Sequence, residues 1–238
     1  MQILRSAVFH IFITFWTIFI FTFLSPLLLT FNSRAVTIIG LVWAKVVLLA
    51  LKIICKLSYE VRGKENLPQA PYIITSKHQS TWETVFLTAY FKDAKYILKK
   101  ELTRIPFYGW YLLASGMIYI DRSLGFSAIK KIVKDTTISL KKGNIIIIFP
   151  EGTRVAPGES KEIQPGIAAI HKHNKHVPIV PVALNSGMFW PKGLKVIKPG
   201  KIIISFLPPL NEELEKGELL KKLKENIDLE SNLLANSK

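Results

Sequence analysis

Residues 6–33 contain no Asp, Glu, Lys or Arg, a run of 28 that exceeds the roughly 20 residues a helix needs to cross a bilayer. The run is bulky, with Phe9, Phe12, Phe15, Trp16, Phe19, Phe21 and Phe23, and no small-residue cleavage site follows it. It therefore predicts a retained membrane helix over about 7–30 rather than a signal peptide. Pro26 marks its end or a kink. A second apolar segment over about 35–53 is interrupted by Lys45. At 3.6 residues per turn Arg34, Lys45, Lys52 and Lys56 share one narrow stripe, as on an interfacial helix with snorkelling lysines, though a second span also fits. Residues 1–54 thus read as an anchor and 55–238 as the domain it carries.

Charge sharpens this division. The formal net charge is +15, and residues 35–210 hold 25 basic against 10 acidic side chains. A basic body on an apolar anchor suits anionic lipid and anionic substrates, and favours the cytoplasmic face (the inner membrane in a bacterium). No nucleic-acid motif with recognisable spacing is present, so nucleic acid is not expected as a partner. The single Cys55 excludes an internal disulfide.

Beyond the anchor, short apolar runs alternate with helical patterns. Strands are expected over 56–62, 72–76, 95–99, 117–120, 145–149, 179–184 and 201–206, and helices over 81–90, 127–141 and 165–173. An amphipathic helix follows from Asn211, with Leu214, Leu219, Leu220, Leu223 and Ile227 on one face. Pro106 and Gly109 forbid a long helix over 99–111. The run Ile145–Phe149 is apolar throughout, as in a parallel strand covered on both faces. The fold class is α/β, with a central, mostly parallel sheet flanked by helices. Pro178 and Pro181 place the run at 177–182 at a sheet edge or an irregular strand end, as a wall of the site.

Several strands end in reactive residues. After Ile73–Ser76 comes His78, and five positions on stands Glu83. Ligands of open α/β sheets gather at strand carboxyl ends. A carboxylate on one ring nitrogen would make His78 a general base. Equally, Ser80 and Glu83 fit a capping box that opens a helix. The second cluster is Phe149-Pro150-Glu151-Gly152-Thr153-Arg154. There Gly152 permits close backbone approach, Arg154 offers a fork to phosphate, and Glu151 could accept from a substrate hydroxyl or orient the arginine. A plain polar turn is the alternative. The third strand ends in Asp121-Arg122, where Arg122 is either a phosphate ligand or half of an ion pair with Asp121. His171, His173 and His176 lack the spacing of a metal site and suit a helix carboxyl end.

In this order and spacing, the motifs over about 55–210 resemble the glycerolipid acyltransferase family, above all its 1-acylglycerol-3-phosphate acyltransferases. The hexapeptide Phe149–Arg154 is the most specific match, and Lys99-Lys100-Glu101-Leu102 with Pro106 and Gly109 also looks like a family segment. The usual first motif is His, four residues, Asp; this chain has Glu83. The resemblance implies acyl transfer from a thioester to the free hydroxyl of 1-acylglycerol 3-phosphate, giving phosphatidic acid. It implies His78 as base, Glu83 as its orienting group, and Arg122, Glu151, Gly152, Thr153 and Arg154 around the phosphate, with Lys100 or its neighbour Lys99 nearby. The donor is acyl-CoA or acyl carrier protein, with no cofactor and no metal. No Gly-x-Ser-x-Gly elbow occurs. Another lysophospholipid, a lyso-aminolipid or a lipid A precursor is the alternative acceptor. A non-catalytic carrier of anionic lipid is the alternative of another class.

Overall fold

The computed structural model describes residues 1–23, 33–106, 108–193, 195–210 and 214–236. Two apolar helices come first, α1 (Gln2–Phe23) and α2 (Ser33–Ile54). Helix α1 begins earlier than expected and takes in Arg5, because a charge limits burial in lipid, not helix formation. Its expected extension to Thr30, and Pro26 with it, lie outside the described residues, as does the side chain of Arg34. The basic stripe keeps Lys45 and Lys52, both exposed, but Lys56 leaves it: the helix stops at Ile54 and Lys56 adopts φ 56°.

The two helices join along Trp43, whose indole N–H donates to Thr17 at 3.0 Å. Helix α1 also lies along the body of the protein. Near its start, Ser6 Oγ accepts the Ile197 amide at 2.9 Å, and Phe9 packs edge-on to Trp190 at 5.5 Å. Near its end, Phe21 packs on Tyr111, also at 5.5 Å. The opposite face leaves Val8, Ile11, Phe15, Ile18 and Phe23 exposed. Exposed apolar side chains grouped in this way mark a membrane or partner contact.

The body is a seven-stranded sheet: β1 (Leu57–Arg62), β2 (Ile73–Ser76), β3 (Lys95–Lys99), β4 (Ile118–Ile120), β5 (Ile146–Ile148), β6 (Ile179–Leu184) and β7 (Gly200–Phe206). Its order is β1-β7-β6-β2-β5-β3-β4, and every pair is parallel except β6 with β7. The helices are α3 (Trp82–Tyr90), α4 (Tyr108–Ala114), α5 (Gly125–Lys141), α6 (Gly166–His173) and α7 (Lys216–Asn236).

Strand alternation divides the core into two layers. On one face Ile74, Ile147 and Val180 meet Trp82, Val85 and Phe86 of α3 and Val47 and Leu51 of α2. On the other, Ile73, Ile146 and Ile179 meet Ile132 of α5, Ile167 of α6 and Leu219 and Leu223 of α7. Both faces are covered, which is why β5 and β6 read as unbroken apolar runs.

Strand β6 departs from expectation, since it is interior, between β7 and β2, despite Pro181. The β7 ladder begins only at Val182, so the amide that Pro181 lacks faces a point where no ladder partner is needed. The Pro181 carbonyl still accepts from Leu207 at 2.9 Å.

Candidate active site

Strands β2, β3, β4, β5 and β6 run in one direction, so their carboxyl ends share one edge of the sheet. That edge gathers His78, Lys99, Arg122, the 149–154 segment and Ser186, each at or just beyond the end of a different strand. It is the place where α/β sheets bind ligands.

At its centre, His78 Nδ1 lies 2.8 Å from Glu83 Oε1. The same oxygen accepts the backbone amides of Gln79 and Ser80, each at 2.7 Å. Glu83 Oε2 accepts Ser186 Oγ–H at 2.8 Å. The carboxylate is 0% exposed, so four donors hold it in a fixed position. The capping and dyad readings hold together, because one carboxylate oxygen can serve the helix start and the imidazole at once. Because Glu83 can only accept, Nδ1 carries the hydrogen, and Nε2 of the neutral ring is left with the lone pair. The ring stacks on Phe149 at 4.1 Å, with its plane 18° from parallel. Its side chain is 16% exposed and borders the main cavity.

That cavity has a volume of about 830 Å³. The exposed cations Lys99, Arg122 and Lys192 line it, together with the partly buried Arg154. Tyr96, Met117, Tyr111 and Leu112 form an apolar interior, and Phe21, Gly40 and Trp43 of the two apolar helices complete it. Arg122 Nη2 donates to the Gly152 carbonyl at 3.1 Å. Gly152 has φ 70°, a left-handed conformation suited to glycine.

A second cluster lies behind His78. Lys77 is 2% exposed, and its ammonium is 2.7 Å from both Glu151 Oε1 and Asp228 Oδ1. Burial pulls its pKa down, but hydrogen bonds to Asp228 and Glu151 outweigh that, and it lies above the usual lysine value. Glu151 Oε2 accepts the His78 backbone amide at 3.0 Å. Burial lifts the Glu151 carboxyl above its usual range, against the pull of Lys77.

A profile of the family described as Acyltransferase matches residues 58–185, more than half of the chain. The chain belongs to the acyltransferase family. It is 38% identical over 186 residues to a 1-acyl-sn-glycerol-3-phosphate acyltransferase of Pseudomonas aeruginosa, covering 78% of this chain and 72% of that one. A Saccharomyces cerevisiae protein of the same name is 32% identical over 185 residues, covering 74% and 61%. In structure, the chain is similar to PlsC of Thermotoga maritima, a 1-acyl-sn-glycerophosphate acyltransferase, with a TM-score of 0.79. That likeness covers 100% of this chain and 99% of the other at 22% identity, and speaks for the fold.

In this acyltransferase, His78, Arg122, Gly152, Thr153 and Arg154 all border the cavity. Two residues expected beside a phosphate do not. Glu151 turns into the protein, 4% exposed, with its oxygens held by Lys77 and the His78 amide. Lys100 points instead to Asp121 at 3.1 Å, and it is Lys99 that borders the cavity. Ser123 and Lys100 together hold the Asp121 carboxyl below its usual range. Asp121 is thereby taken, so Arg122 is not its partner. Ser186, Lys77 and Asp228 went unnoticed in the sequence. Ser186 lies 103 positions from Glu83, and Asp228 lies 151 from Lys77, whose other carboxylate partner, Glu151, is likewise remote in the chain. Nothing local marks such pairs.

Proposed function

We propose that this acyltransferase moves an acyl chain from a thioester to the free hydroxyl of 1-acylglycerol 3-phosphate, making phosphatidic acid. The carrying observation is the His78–Glu83 pair at 2.8 Å beside a cavity lined by cations and by apolar side chains. The curated relatives' names point the same way. His78 Nε2 takes the acceptor's hydroxyl proton as that oxygen attacks the thioester carbonyl. Glu83 stabilises the imidazolium that forms. The tetrahedral intermediate collapses, the C–S bond breaks, and the thiolate takes the proton from Nε2. A thioester is already activated, so the chain needs no nucleophile of its own.

Arg122 and Arg154 bind the phosphate, Arg154 through its guanidinium fork, with Lys99 adding charge nearby. The donor is a thioester of coenzyme A or an acyl carrier protein, both anionic. The exposed stripe of α1 lies in lipid with the basic body on the cytoplasmic side. An acceptor panel with purified protein in vesicles tests the reading. Transfer to 1-acylglycerol 3-phosphate should exceed transfer to phosphate-free lysolipids, and His78→Ala should abolish it. Equal use of both acceptors would overturn the assignment, and so would an active His78→Ala protein.

A further inference from the structure

The Lys77 cluster has no part in the chemistry above, yet it touches the catalytic residue's own backbone. The three hydrogens of the Lys77 ammonium have three acceptors: Glu151 Oε1 and Asp228 Oδ1 at 2.7 Å, and the Glu159 carbonyl at 3.3 Å. Asp228 Oδ2 accepts Ser160 Oγ–H at 2.6 Å. Three separate pieces of chain are thereby joined: the end of β2, the loop after β5 that carries Arg154, and helix α7. The joint ends on His78, through Glu151 Oε2 and the His78 amide. Helix α7 is also seated by Ser231, which accepts the Leu184 amide at 3.4 Å, and by Leu234, whose carbonyl accepts Asn185 at 3.1 Å.

A buried ion cluster of this kind is poor evidence of stability, since well-packed apolar residues usually serve as well. What it offers is fixed geometry. Each Glu151 oxygen has one duty, so displacing the ammonium displaces Glu151, and His78 with it. A shift of about 1 Å in a catalytic group can cost about a hundredfold in rate.

We propose that Lys77 and Asp228 are positioning residues: through Glu151, they make the placement of the catalytic imidazole depend on the seating of helix α7. The proposal rests on His78 being the general base. It departs from the role the family resemblance gives Glu151, which becomes a link in this chain rather than a contact to substrate.

Steady-state kinetics and thermal melts of Asp228→Asn, Lys77→Met, the double variant and His78→Ala test it. Asp228→Asn should lower kcat about tenfold and leave KM for both substrates within about twofold. Lys77→Met should lower kcat further, and the double variant should match Lys77→Met alone, because Asp228 acts through Lys77. Should Lys77→Met fail to fold, the kcat and KM of Asp228→Asn decide by themselves. An Asp228→Asn protein with unchanged kcat and a lower melting temperature would reduce the cluster to a structural staple. If His78→Ala remained active, the base assignment would fall instead; an inactive His78→Ala beside a fully active Asp228→Asn overturns only the positioning role.

Discussion

Arg122 and Gly152 approach so closely that no side chain fits between them: a Cβ at position 152 would stand 2.6 Å from Arg122 Nη2. The glycine serves two ends here, its positive φ and the room it leaves for the guanidinium.

Gly152→Ala should therefore move Arg122 and strain the turn. Losing a hydrogen bond of a charged group costs about 1.5–3 kcal/mol. We expect KM for the phosphate-bearing acceptor to rise about ten- to a hundredfold, with kcat changed much less. Initial rates against acceptor concentration measure this. A larger loss in kcat than in KM would place Arg122 in the chemical step.

Glu83→Gln separates the cap from the catalysis. A glutamine oxygen can still accept the Gln79 and Ser80 amides, as capping boxes allow. It brings no charge to an imidazolium, and its amide nitrogen cannot accept from Ser186. We expect a folded protein with activity down about 10²–10⁴-fold. Circular dichroism and turnover on the same preparation settle it, and near-parental turnover would return Glu83 to capping alone.

Gly40 lets α2 approach Tyr111: a Cβ there would sit 1.9 Å from the phenol oxygen. Alanine gains up to about 1 kcal/mol in helix propensity over glycine. Overpacking typically costs about 1–3 kcal/mol, and Tyr111 is buried, so the clash should win. Gly40→Ala should melt lower in detergent. A higher melting temperature would mean that Tyr111 swings aside freely.

Lys77 should leave a mark on alkaline stability. Its folded pKa lies above its unfolded one, so its contribution is complete below about 10.4 and fades as pH rises through the folded value. Urea midpoints for parent and Lys77→Met should therefore converge above that pH. A difference that stayed constant to the highest pH reached would mean that the ammonium's charge adds nothing.

The sequence revealed local features and missed distant ones. Ile146–Ile148 and the helix after Ser80 were readable because periodicity and capping act over a few residues. His78 and Glu83 were readable as a pair for the same reason. Lys77 was not, because a lysine is ordinarily solvated and its two carboxylates come from remote segments. Glu151 was misread because Pro150, Gly152, Thr153 and Arg154 around it all border the cavity, while the remote Lys77 and the His78 amide draw its carboxylate inward. Pro181 misled because a proline forbids one ladder bond, and the antiparallel register happens to begin one residue later.

The seating of α1 on Ile197 at one end and Tyr111 at the other packs the apolar helices directly against the body that carries His78. With α1 in lipid, as proposed above, the height of His78 over the bilayer would be set by this packing rather than by a tether. A substrate whose tail stays dissolved in the leaflet can present its head group at one fixed height. Cutting away residues 1–54 would not yield a soluble version of the same catalyst, because Phe21, Gly40 and Trp43 are part of the cavity itself.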